Sequence, residues 1–195
     1  STKLVEVDAG QTIKLGKFSV EFIRSCHSIP DSVMLAITTT AGTILHTGDF
    51  KIDYTPIDGK PMDLGRIAEL GNKGILALMS DSTNSERKGF TMSEKSVGAV
   101  FDKLFMNCKK RIVVATFASN VHRVQQIVDS AVKYGRKIAV CGRSMINMIE
   151  NARALGYINA PEDIFIDIDL IRNYNDEQLV IITTGSQGET MSALT

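Results

Sequence analysis

The sequence predicts an α/β chain in two unlike parts, an antiparallel β-sheet meander followed by a largely parallel sheet interleaved with helices. Three observations carry this. Through roughly the first eighty residues, apolar positions alternate or cluster at strand spacing between glycine-containing turns. From Thr91 onward, apolar residues recur at helical spacing, and strands alternate with helices. Runs such as VVAT and VIIT are apolar enough to be buried on both faces, as parallel strands are. The division falls near Glu86 in the polar stretch STNSERKG, giving domains 1–85 and 86–195.

Each element has a local reason. KLVEVDAG, QTIKLG and FSVEFIRS read as the first three strands, and VMLAITTTAGTILHTGD reads as a hairpin turning at Thr40-Ala41-Gly42. A polar link, TPIDGKPMD, leads to a short helix over Leu64 to Leu70, then to the strand GILALMSDS, read as buried. Thr91 and Glu94 have the spacing of a capping box. Val97, Val100, Phe101, Leu104 and Phe105 follow on one apolar helical face. After the strand RIVVATF comes a helix with Val121, Val124, Ile127, Val128 and Ala131 on one side, and then the strand KIAVCG. A third helix carries Met145, Met148, Ile149 and Ala152 and stops at Gly156, suited to a left-handed C-terminal cap. EDIFIDI and LVIITTG are the last strands, and GETMSALT reads as a helix just beginning, so the chain is expected to continue as part of a longer protein.

Composition narrows the function classes. With 22 Lys+Arg against 22 Asp+Glu and 44% hydrophobic residues, the chain reads as globular, and net charge names no partner. Global neutrality can still hide a local basic strip. Cys26, Cys108 and Cys141 lie far apart and form no Cys-x-x-Cys, against a zinc knuckle or disulfide framework and in keeping with a reducing cytoplasm. No apolar run approaches the roughly 20 residues that span a bilayer, so no membrane is expected.

Polar residues stand at four strand ends, where side chains project from a rigid sheet into ligand-bearing loops: His27, Asp49, Asp81, and Gly185 with Ser186. His27 and Asp49 are either loop residues satisfied locally or metal ligands, since imidazole and carboxylate both bind zinc. Two ligands are not a site, because a catalytic zinc takes about three, and His46 and His122 are the remaining histidines. For Asp81 two readings stand level: a turn or N-cap residue, or a carboxylate that orients a ligating histidine. TTGSQGET lacks the Walker A pattern, yet its turn amides, the Ser186 hydroxyl and a following helix suit a phosphate; an ordinary strand-to-helix turn is the plain alternative. In TFASNVHRVQQ, Ser119 or Asn120 caps a helix with His122 and Arg123 in its first turn, and GRS repeats the pattern, so Arg123 and Arg143 could form one positive strip.

Together, CHSIPDS, HTGDFKID, SDSTNSE, TFASNVHRVQQ, GRSM and TTGSQGE, in this order and spacing, resemble the ribonuclease J family, the RNA-processing branch of the metallo-β-lactamase superfamily that carries a β-CASP domain. The resemblance covers essentially the whole chain. It implies a partial metallo-β-lactamase β-sheet meander followed by a Rossmann-like β-CASP α/β domain, incomplete at its C-terminus. It implies His27 as a ligand to one zinc, Asp49 as a bridge between two Zn2+ ions, and Asp81 as the residue orienting active-site histidines. Gly185, Ser186 and Gln187 would lie near an RNA 5′ phosphate, with Ser119, Asn120 and His122 on the RNA-facing edge. The implied activity is zinc-dependent ribonuclease cleavage, 5′-to-3′ exonuclease and endonuclease, of RNA with 5′-monophosphate ends, by a cytoplasmic homo-oligomer. Two departures stand out. The family's His-x-His-x-Asp-His motif, which supplies most zinc ligands, is absent, and Thr190 stands where proline is expected. The chain alone is therefore expected to be inactive. A non-catalytic phosphate- or RNA-binding or assembly module is the alternative class.

Overall fold

The computed structural model describes residues 2–185. Two compact units emerge, Ser1–His27 with Asp31–Ser93, and Ser28–Pro30 with Glu94–Thr195.

In the first unit, β1 (Thr12–Leu15), β2 (Phe18–Arg24), β3 (Val33–Thr39) and β4 (Gly42–His46) form an antiparallel meander. β5 (Ala77–Met79) then pairs parallel to β4, a crossover made by α1 (Leu64–Lys73). Sheet order is β1-β2-β3-β4-β5. Register fixes the core: Ile23 lies opposite Met34 and Ala36 opposite Leu45, so the four share one face. Met62 and Leu70 pack with them. On the same face as Ala36, Glu21 takes a two-pronged ion pair from Arg66 of α1, at 2.6 and 2.8 Å, which holds the helix over the sheet. Asp63 caps α1 by accepting from the Arg66 amide.

Two expectations fail here. KLVEVDAG forms no strand: although its residues alternate, the alternation buries neither Leu4 nor Val5, and both stand exposed. The buried strand expected in GILALMSDS is an exposed edge strand, with Leu78 and Met79 at 62% and 54%. An apolar run states what a strand could bury, whereas its place in the sheet decides what it does bury.

The second unit holds a parallel sheet of β6 (Ile112–Ala115), β7 (Lys137–Cys141), β8 (Phe165–Ile166) and β9 (Leu179–Thr183) in the order β6-β9-β7-β8. β9 is interior and buried nearly throughout, whereas β6 lies at the edge and exposes Val113, so only VIIT of the two apolar runs has both faces covered. α2 (Lys95–Asn107) precedes β6, α3 (Val121–Lys133) joins β6 to β7, and α4 (Arg143–Ala154) follows β7. α3 buries Val121, Val124, Ile127, Val128 and Ala131 against Ile138, Val180 and Ile182. Gly156 takes φ +78, one residue past the Leu155 cap of α4, as the left-handed stop requires.

The capping box does not form. α2 begins at Lys95 with Glu94 as its N-cap and no side-chain capping bond, because the Glu94 carboxylate grips Arg123 instead. The five-residue apolar face also splits: Phe101 and Phe105 are buried, while Val100 and Leu104 are exposed. Among the described residues, no helix is long and apolar enough to cross a membrane.

Candidate functional site

Strand direction assembles the polar cluster of the first unit. β2 and β4 both run antiparallel to β3, and β5 runs parallel to β4, so all three end at the same edge of the sheet. His27 follows β2, Asp49 follows β4 and Asp81 follows β5.

Hydrogen bonds then tie the loops in sequence. The Lys51 amide donates to the Cys26 carbonyl at 2.8 Å, joining the loop after β4 to the loop after β2. The Thr47 amide donates to the Met79 carbonyl at 3.0 Å, and the Asp81 amide donates to the Thr47 hydroxyl at 2.9 Å. Thr47 is buried and thus serves as the pin between two loops, a role its sequence neighbourhood did not signal. Gly48 turns the chain at φ +57, and its amide donates to His46 Nδ1, so His46 is engaged in the turn itself.

The outcome is a close approach of His27 Nε2 to Asp49 Oδ2, at 3.9 Å, with the side chains 31% and 76% exposed. That distance exceeds a hydrogen bond. Two ligands of one tetrahedral zinc, with bonds of about 2.0–2.2 Å, lie roughly 3.4 Å apart, so the pair is slightly wider than a shared-ion geometry. Among the described residues, no group of three or more His, Cys, Asp and Glu surrounds a common point. These residues therefore fit part of a zinc site and not a whole one, and no reaction step rests on them alone. Cys26, beside His27, is no thiolate: burial, then the charges of Asp53 and Asp58, push its thiol up.

Asp81 is held below the usual carboxylate range, first by the Thr83 amide donating to it at 2.8 Å, then by the Thr83 hydroxyl, with the Phe50 amide and the charge of His27 adding less. It is thus ionised at neutral pH beside the Asp49–Phe50 segment. Among the described residues, no hydrogen bond links it to His27.

In the second unit the parallel strands β6, β9 and β7 also end together. Ligands of open α/β sheets bind outside such carboxyl ends. Asn120 is the cap chosen between the two candidates: its side chain accepts from the Arg123 amide at 3.0 Å, leaving Ser119 exposed beside it. His122 is half-buried in the first turn of α3. Gly185, at φ +97, and Gly142, at φ +101, follow β9 and β7, and a Cβ on Gly142 would come within 3.2 Å of the Thr184 hydroxyl. Ser186, Gln187 and Thr190 lie outside the described residues.

The positive strip is half of what the sequence suggested. Glu94 neutralises Arg123 through two hydrogen bonds, the second at 3.0 Å, whereas Arg143 is exposed and makes no ion pair among the described residues. Glu94 and Arg123 lie 29 residues apart, and no local pattern announces such a pairing.

Residues 109–195 match the family described as Ribonuclease J, beta-CASP domain. The chain is 52% identical over its full length to Ribonuclease J of Synechocystis sp., covering 30% of that protein. It is 53% identical over 93% of its length to Ribonuclease J of Helicobacter pylori, covering 26%, and 44% identical over its full length to Ribonuclease J2 of Bacillus subtilis, covering 35%. The chain thus spans about a third of the length of these curated relatives. A crystal structure titled as a protein of unknown function from Enterococcus faecalis shares the fold at TM-score 0.65 and 16% identity, covering 96% of this chain and 46% of its own.

Proposed function

Because the chain belongs to the ribonuclease J family, we propose that the whole protein cleaves RNA by zinc-dependent hydrolysis, as a 5′-to-3′ exonuclease and endonuclease of RNA processing and decay. The observation that carries this reading is the 3.9 Å approach of His27 to Asp49 at a shared strand edge.

When bound, a pair of zinc ions supplies hydroxide near neutral pH and neutralises phosphodiester charge. This chain's share of that centre would be the His27 imidazole and the Asp49 carboxylate, and the other ligands would come from the rest of the whole protein. Asp81, ionised and fixed by Thr83, would be the carboxylate that takes a hydrogen bond from a ligating imidazole once the centre is complete. The strand ends of the second unit receive RNA phosphates. Gly185, Ser186 and Gln187 approach a 5′-monophosphate end, and Ser119, Asn120 and His122 line the same edge. Binding carried by phosphates weakens with salt. A cytoplasmic homo-oligomer completes the reading.

The test uses the whole protein and the 195-residue chain side by side. Elemental analysis should find about two zinc ions per whole chain, and Asp49→Ala should lower the zinc content and abolish RNA hydrolysis. The 195-residue chain should be inactive and hold zinc weakly. Chelator-indifferent cleavage by the whole protein would refute the proposal. Nuclease activity in the isolated chain that Asp49→Ala removes would refute the incomplete-site part of it.

A further inference from the structure

We propose that the loop between Asp81 and Ser93 carries a contact for single-stranded RNA, with Phe90 as a base-stacking platform and Arg87 and Lys88 on neighbouring phosphates. This rests on the RNA reading above and adds residues that it does not use.

The loop is anchored at both ends and bare in between. Near its start, the Asp81 amide is held by Thr47 and the Asp81 carboxylate by Thr83. Two turns follow, closed by Ser85 amide to Ser82 carbonyl and Arg87 amide to Asn84 carbonyl, with Asn84 in the left-handed region at φ +62. At its end, the Ser93 hydroxyl donates to the Thr55 carbonyl at 2.9 Å, which fastens the loop to the first unit. Between these anchors, Phe90 is 100% exposed, more than any other large apolar side chain described. A phenyl ring left wholly in water is unfavourable unless something covers it.

The neighbours say what covers it. Arg87 and Lys88 make no ion pair among the described residues, although Glu86 offsets one of the two charges. Protein interfaces enrich aromatics and Arg but deplete Lys and Glu, and Lys88 and Glu86 both stand within four residues of this ring. Single-stranded nucleic acid is held by the opposite pattern, an aromatic face for a base beside cations for the backbone. Arg-Lys-Gly-Phe has the second pattern.

The sequence contains no tryptophan, so Phe90→Trp creates a single fluorescent reporter at the contact. The probe is a short 5′-phosphorylated oligoadenylate added to the 195-residue chain. The Phe90→Trp emission should be quenched with the same midpoint as the anisotropy of labelled oligonucleotide. Phe90→Ala should weaken binding about tenfold, the worth of one stacked base, without changing the salt slope. Arg87→Gln and Lys88→Gln should each lower that slope by about 0.7. Wild-type binding that Phe90→Ala leaves intact would overturn the contact while sparing the RNA reading. So would a blue-shifted Phe90→Trp emission that oligoadenylate does not alter, which would assign the ring to a protein contact. A wild-type chain that fails to bind oligoadenylate at all would overturn the contact, while the RNA reading stands or falls on the whole-protein cleavage test above.

Discussion

The two units hold their shape by different means. In the second, Val124, Ile127, Val128, Ile138, Met145, Val180 and Ile182 are wholly buried in one continuous cluster of helix and strand side chains. The first has a smaller core under α1 and leaves Leu76, Leu78 and Met79 exposed. Its polar cluster is arranged by loop-to-loop hydrogen bonds through Thr47, Cys26 and Lys51 more than by packing. Packed side chains resist displacement because interiors are dense, whereas a few hydrogen bonds at a sheet edge are worth about 1 kcal/mol apiece. Stability should therefore reside chiefly in the second unit, and the candidate zinc ligands should sit on the lighter scaffold.

The largest expected effect breaks this comparison if it fails. Phe105 is 2% exposed and meets Phe101 edge-to-face at 6.2 Å. Phe105→Ala should cost about 3–5 kcal/mol. Hydrogen exchange should quicken across β7 and β9 and stay unchanged in β2 and β3. Equal acceleration in both units would mean that they unfold as one body.

Arg136 sharpens the comparison by showing a polar group put to structural use inside the heavier core. Its guanidinium is buried, donates to the carbonyls of Lys110, Leu179 and Cys108, and lies 5.9 Å from the Phe105 ring centroid. One side chain thus joins the end of α2, the start of β9 and the approach to β6. Arg136→Met should cost about 2–3 kcal/mol, because the carbonyls lose their donor while buried. Arg136→Lys should recover less than half, since an ammonium cannot span the three acceptors. Urea denaturation measures both; a neutral Arg136→Met would show that water replaces the guanidinium.

What could be read from the residues follows the same divide. Every apolar residue expected on α3 is buried, because a helix packed along one side of a sheet keeps the period its sequence displays. β5 and the outer part of α2 defeated the same reasoning. Period reports that a face is apolar, but Leu78 and Leu104 are exposed because of where the topology places them. The strand ends were legible as polar positions, and β2, β4 and β5 do bring His27, Asp49 and Asp81 to one edge. Thr47, which pins that edge, and the Glu94–Arg123 pair, which removes a cation from the other, depend on contacts between distant residues. Local sequence carries no trace of such contacts.

The smallest expected effect concerns the lighter scaffold itself. Thr83 and Phe50 donate to the Asp81 carboxylate and hold it below its ordinary value of 3.8, so folding favours the ionised form. Such a group adds stability above its unfolded value and loses that contribution as pH falls through the lower folded value. Asp81→Asn removes the charge that the fold prefers, so at neutral pH the variant should unfold at a lower urea concentration than wild type. As pH drops below 3.8, wild-type Asp81 takes up its proton too, and the two midpoints should converge. Phe105→Ala, by contrast, should keep its full deficit across the same range, because no proton is involved. A gap for Asp81→Asn that persists unchanged in acid would mean that the loop is held by shape alone, and that the charge facing His27 contributes nothing to holding the edge together.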